Sequence, residues 1–204
     1  MLVLLRHGQT QLNAEGRLAG RLDVDLTDTG VRQAAAAAAA ILAFGPPTVV
    51  IASPLRRAVH TAEALGCPVV IDERWIELDY GEYDGRPHGE LPPGWWERWR
   101  ADTSLVVPGG ESIDALGSRV RQACEELRAR ADESLVVVVS HVSPIKAAVA
   151  WALGVGDDVA WRMNLSPASI TRIAVRSATP SLHGFNETMH LHSAVPDNQL
   201  EPPH

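Results

Sequence analysis

The chain opens on four apolar residues, Leu2-Val3-Leu4-Leu5, followed at once by Arg6-His7-Gly8. So short an apolar run, cut off by a polar turn, predicts a strand buried on both faces. The form recurs twice. Thr48–Ala52 runs into Ser53-Pro54-Leu55-Arg56, and Leu135–Val139 runs into Ser140-His141. Strands of this kind alternating with helices predict an α/β fold, a three-layer αβα sandwich around a mainly parallel sheet. Ligands of such sheets bind just beyond the carboxyl ends of the strands. Arg6, His7, Arg56 and His141 are therefore delivered to one edge, and Gly8 permits a sharp turn or a close backbone approach there.

The segments between the strands fit the same plan. Thr10–Asp25 has no periodicity and reads as a long functional loop. Thr27 caps a helix from Asp28 to about Ala43, rich in alanine and stopped by Gly45-Pro46-Pro47. Ser53-Pro54 has the form of a cap followed by proline at the first helical position, which starts a helix over Leu55–Leu65. Arg56 then lies in its first turn, beside backbone N–H groups that favour an anion, whereas Arg57 is expected to be exposed or paired with a carboxylate. Pro68–Ile71 is a third strand, and Trp95–Arg100 a short helix. The apolar residues Ile113, Leu116, Val120, Cys124 and Leu127 keep a helical period through a long helix ending near Ala131. Ser143-Pro144 starts a helix that reaches Leu153, and Ser169–Val175 and Leu182–His192 complete the strands. One domain over 1–195 is expected, with a helical insert at about 88–110 over the carboxyl edge and a disordered tail at 196–204.

Composition narrows the partners. A net charge of −7 disfavours a nucleic-acid or anionic-membrane surface, although a local basic pocket can still hold a small anion. Apolar runs are too short to cross a bilayer, and no signal peptide precedes the first strand, so a cytoplasmic protein is expected. Cys67 and Cys124 make neither a disulfide framework nor a metal quartet; both read as buried small hydrophobes. Two arginines and two histidines at one edge suit a phosphoryl group, whose oxygens need several charged donors. No P-loop, Asp-rich magnesium site or zinc signature is present, which predicts chemistry without a metal or other cofactor.

Taken together, Leu5-Arg6-His7-Gly8-Gln9-Thr10, Ser53-Pro54-Leu55-Arg56-Arg57-Ala58 with Thr61-Ala62, Glu77-Leu-Asp-Tyr-Gly81, Gly109-Gly110-Glu111-Ser112 and Ser140-His141 resemble the histidine phosphatase superfamily, the phosphoglycerate-mutase-like group. The pattern runs from about residue 2 to 175 and is closest to small phosphatases such as α-ribazole phosphatase. The resemblance implies a phosphohistidine on His7, a phosphate pocket of Arg6, Arg56 and His141 with Asn13 as a further ligand, and Glu77 as proton donor. Gly20 and Val142 fall at substrate-contact positions. The chain carries Val142 where the family often has glycine, and Ala19 where it often has a polar residue. The implied activity is metal-independent hydrolysis of a small phosphorylated metabolite. A phosphoglycerate-type mutase and a non-catalytic phosphate-ester binding module are the alternatives, and an edge-to-edge homodimer is compatible with the sheet.

Other features read more plainly. Glu111 is expected to support a helix start or hold an arginine. Trp95 and Trp99 have helical spacing suited to packing, with a stacking platform as the alternative. His190 and His192 would share one strand face and lack a third ligand for a metal.

Overall fold

The computed structural model describes residues 1–176 and 179–192. The tail expected at 196–204 lies outside the described residues. In chain order the elements are β1 (Leu2–Arg6), α1 (Gln11–Ala14), α2 (Asp28–Leu42), β2 (Val49–Ala52), α3 (Arg56–Glu63), β3 (Val69–Ile71), α4 (Trp95–Ala101), α5 (Ile113–Glu133), β4 (Val136–Ser140), α6 (Val142–Leu153), β5 (Ile170–Arg176) and β6 (Thr179–Glu187), with short 3₁₀ turns between them. The six strands form one sheet in the order β3-β2-β4-β1-β5-β6. β1, β2, β3 and β4 are mutually parallel, while β5 and β6 are antiparallel additions on the β1 side.

The apolar runs are buried on both faces because strand side chains alternate. Leu2 and Leu4 of β1, with Val136 and Val138 of β4, join one core cluster with α5, α6 and α4. Val3, Leu5, Val137 and Val139 join the other, against Ala37, Ala38 and Ile41 of α2 and Ala58 and Ala62 of α3. The alanine run thus serves close packing as well as helix propensity. Contact is closer still near the first turn, where a Cβ on Gly30 would lie 2.1 Å from the Gln9 carbonyl oxygen and one on Gly8 would lie 2.4 Å from the Gly30 carbonyl oxygen.

Several expected boundaries differ. A short helix, α1, interrupts the Thr10–Asp25 loop, because Thr10 and Asn13 form a reciprocal capping box. α3 starts at Arg56 with Leu55 as its uncapped N-terminal residue. α6 starts at Val142 with His141, not Ser143, at its N-cap. β6 begins at Thr179, earlier than expected, and ends at Glu187. Met189–Leu191 is a 3₁₀ turn, so His190 and His192 share no strand face. His190 instead places Nε2 3.0 Å from the Ala168 carbonyl oxygen. Cys124 is buried, Cys67 only partly, and both are free. No helix among the described residues is long and apolar enough to cross a membrane.

Candidate active site

His7 follows β1 directly and its backbone is held on two sides. Its N–H donates to the Ser140 carbonyl at the end of β4 (2.9 Å), and its carbonyl accepts from the Ala168 N–H (3.0 Å). The imidazole is buried, with Nδ1 2.7 Å from the Gly8 carbonyl oxygen. A carbonyl only accepts, so Nδ1 carries the proton and Nε2 keeps its lone pair. Nε2 faces Arg57, whose Nε donates to it at 3.3 Å. Burial, then the Arg57 and Arg6 charges, hold the His7 pKa well below the usual histidine value.

This cation is Arg57, and the Arg56 expectation is corrected. Arg56 is half exposed and pairs with Asp23 (3.1 Å) and Asp25 (2.9 Å) on the loop above. Arg57 is fully buried, and its Nη1 and Nη2 donate to the carbonyls of Leu22 and Gly20, each at 2.7 Å. Neighbouring residues on a helix point about 100° apart, so only one of the two can face the sheet edge. Ser53 does not cap α3; its hydroxyl lies 2.7 Å from His141 Nε2. The helix therefore begins two residues later than a Ser53 cap would set it. Burial, the largest influence, lowers the Arg57 pKa to about 10, which still leaves the guanidinium charged at neutral pH.

His141 is buried behind His7, with ring centroids 5.0 Å apart. Its Nδ1 has no hydrogen-bond partner among the described residues. Burial, then the charge of Arg57, pushes its pKa well down. Arg6 donates through Nη1 to the Leu165 carbonyl. Glu77 is buried, and one carboxyl oxygen accepts from the N–H groups of Leu78 (2.7 Å) and Ser143 (3.2 Å). Ser143 lies in the first turn of α6, where free N–H groups suit a carboxylate.

Arg6, His7, Asn13, Gly20, Arg57, Glu77 and Val142 line a common cavity of about 180 Å³, together with Tyr80, His88 and Lys146. His141 stands behind this wall, not in it. The Asn13 side-chain oxygen is engaged by the Thr10 N–H and hydroxyl at 3.0 Å each. Gly20 takes a left-handed conformation (φ 47°), and a Cβ there would fall 1.6 Å from an Asp84 carboxyl oxygen. Glu111 does hold arginines, Arg119 at 2.9 Å and Arg21 at 3.3 Å. Arg119 also donates to the Glu77 carbonyl (3.3 Å), which ties the carboxyl-bearing loop to α5. The donor set is cationic and suited to an anion. Among the described residues no group of three His, Cys, Asp or Glu could hold a metal ion.

A model of the histidine phosphatase superfamily (branch 1) matches residues 2–188. The chain belongs to this superfamily. Within the superfamily, it is 40% identical over 177 residues to a bifunctional protein of Mycobacterium tuberculosis, a match covering 83% of this chain and 49% of that one; the chain thus spans about half the length of that relative. Phosphoserine phosphatase 1 of Hydrogenobacter thermophilus is 34% identical over 93% of both chains. Among solved superfamily structures, a mycobacterial glucosyl-3-phosphoglycerate phosphatase complexed with VO3 superposes with a TM-score of 0.84 at 33% identity, over 92% of this chain and 98% of that one.

The sequence pattern does not mark Lys146, Tyr80 or His88 as site residues, and it places Arg57 outside the site. The signal for Lys146 was present: it is the only lysine in the sequence, and it lies one helical turn after Val142.

Proposed function

We propose that the chain is a phosphomonoester hydrolase that transfers a phosphoryl group to His7 and then to water. The carrying observation is the His7 imidazole, locked through Nδ1 so that an unprotonated Nε2 faces Arg57 in a cationic cavity. The Nε2 lone pair attacks phosphorus and the ester P–O bond breaks. Arg6 and Arg57 stabilise the transferring charge, while His141 packs behind His7 and engages Ser53. Glu77 gives its proton to the leaving oxygen. In the second step Glu77 takes a proton from water, the water oxygen attacks phosphorus, the N–P bond breaks and inorganic phosphate leaves.

Phosphatase relatives named for phosphoserine and glucosyl-3-phosphoglycerate support a small phosphorylated metabolite as substrate. A cytoplasmic setting is part of this reading. The test is p-nitrophenyl phosphate with EDTA present, followed by acid quench and mapping of labelled phosphate. Turnover, with acid-labile phosphate on His7, is expected. No turnover would favour a binding module. Conversion of 3-phosphoglycerate that depends on 2,3-bisphosphoglycerate, with negligible phosphate release, would favour a mutase.

A further inference from the structure

A second cavity, also of about 180 Å³, adjoins the one that holds His7, and the two share Leu18, Tyr80, His88, Val142 and Lys146. Its far wall is apolar: Trp96 and Trp99 of α4, Trp161, Ile113 and Leu116. The three indoles are fixed by one another, with Trp96 stacked on Trp99 (5.7 Å between centroids) and Trp161 edge-on to both. Of the acidic and basic groups on this wall, Asp157 is already engaged by Arg121 at 2.7 Å.

Lys146 stands where the cavities meet. Its ammonium makes no hydrogen bond or ion pair among the described residues. Burial pushes its pKa down to about 8, so the charge is held at a cost although Glu77 favours it. A phosphoryl dianion balances Arg6 and Arg57. While Glu77 holds the proton needed by the leaving oxygen, Lys146 has no counter-charge from either.

Building on the phosphomonoesterase reading, we propose that the leaving alcohol is an apolar, ring-bearing one seated among the tryptophans, and that Lys146 selects it by pairing with a carboxylate near the ester. Aromatic walls reward a flat apolar ring. A carbohydrate would need acceptors and donors for each hydroxyl, which this wall supplies sparsely. Lys146 is a specificity-determining residue in this scheme, and Glu77 keeps the proton-transfer role.

The test compares kcat/KM, read as released phosphate, on paired esters. 3-Carboxyphenyl phosphate against phenyl phosphate adds the anion and leaves the leaving phenol nearly as acidic. 2-Phenylethyl phosphate against ethyl phosphate adds the ring, and glucose 6-phosphate stands for carbohydrate. The carboxylated ester should exceed its parent by about tenfold or more, and the ring should contribute a factor of about ten or more. Lys146→Met should collapse the carboxylate ratio towards one, with Lys146→Arg restoring part of it. Trp161→Leu should collapse the ring ratio. Equal rates on the two aryl esters in the wild type, or a carboxylate preference that survives Lys146→Met, would overturn the role of Lys146. Glucose 6-phosphate outrunning 2-phenylethyl phosphate would overturn the apolar alcohol in favour of a carbohydrate. Phosphate release from none of these esters by an enzyme that turns over p-nitrophenyl phosphate would overturn this proposal alone, whereas failure on p-nitrophenyl phosphate as well would remove the phosphomonoesterase reading and this proposal with it.

Discussion

The turns after β1 and β2 both deliver site residues to the same cavity, but they do so by different means. His7 leaves its strand with no intervening residue, and backbone hydrogen bonds to β4 and to Ala168 hold it. Its placement follows from the sheet register. After β2 three residues, Ser53, Pro54 and Leu55, intervene before α3 begins. There the direction of each side chain depends on where the helix starts, and a shift of one residue exchanges Arg56 for Arg57. A strand end thus transmits position directly from sequence, whereas a helix start adds a phase that local sequence leaves open.

The sharpest way to break the β1 side is His7→Ala. Activity should fall by more than about 10⁴-fold, as expected when a nucleophile is removed, with the circular-dichroism spectrum retained. Substantial remaining turnover would take the nucleophile away from this strand end.

The β2 side is tested by two neighbours. Arg57→Ala should lower kcat/KM by about 10²–10³-fold, the range for losing one buried charge-stabilising donor. Arg56→Ala should cost less than about tenfold, since an exposed ion pair contributes little, on the order of 1 kcal/mol or less. Reversed magnitudes would mean that α3 starts in the other phase in solution.

Glu77 belongs to neither strand end; α6 holds its carboxyl from a third direction. Glu77→Gln should slow alkyl phosphates about tenfold more than p-nitrophenyl phosphate, whose leaving group needs little protonation. Equal losses on the two substrates would remove Glu77 from the acid role and direct attention to Asp79 or Glu82.

The smallest effect is one of pH. Burial first, and then Arg57 and Arg6, keep His7 neutral well below the usual histidine range. As pH falls, kcat/KM for p-nitrophenyl phosphate should therefore show no protonation of the nucleophile near 6.5. The activity remaining in Arg57→Ala should lose its acid limb at higher pH, because one of the charges opposing protonation is gone. An unchanged limb in that variant would mean that Arg57 exerts no electrostatic hold on His7.

Much of the architecture was legible in the chain. The buried runs at β1, β2 and β4, the cap at Thr27, the break at Gly45 and the helix end at Leu153 rest on local chemistry, and the structure follows them. Arg6, His7, Asn13, Gly20, Glu77 and Val142 all reach the cavity that the pattern of strand ends and the family resemblance predicted. Less was legible where the deciding contact came from afar. Ser53 looked like a cap because its neighbours said so, yet His141, 88 residues away, engages its hydroxyl. The helical spacing of Trp95 and Trp99 predicts packing, and both are buried. Trp99, with Trp96 between them, also walls the second cavity, an outcome that depends on Trp161 arriving from another segment.

Sequence alone determined the strand and helix order, the edge at which the site forms and the strand-end groups that reach it. Those features rest on side-chain alternation and on short-range backbone chemistry, which act within a few residues. Tertiary structure decided which of two adjacent arginines meets His7, why the carbonyls of Gly20 and Leu22 close over it, and that the lone lysine faces an aromatic cavity. Each of these is a long-range choice, set when the loop over Asp23 and Asp25 captures one guanidinium and leaves the other to the buried edge.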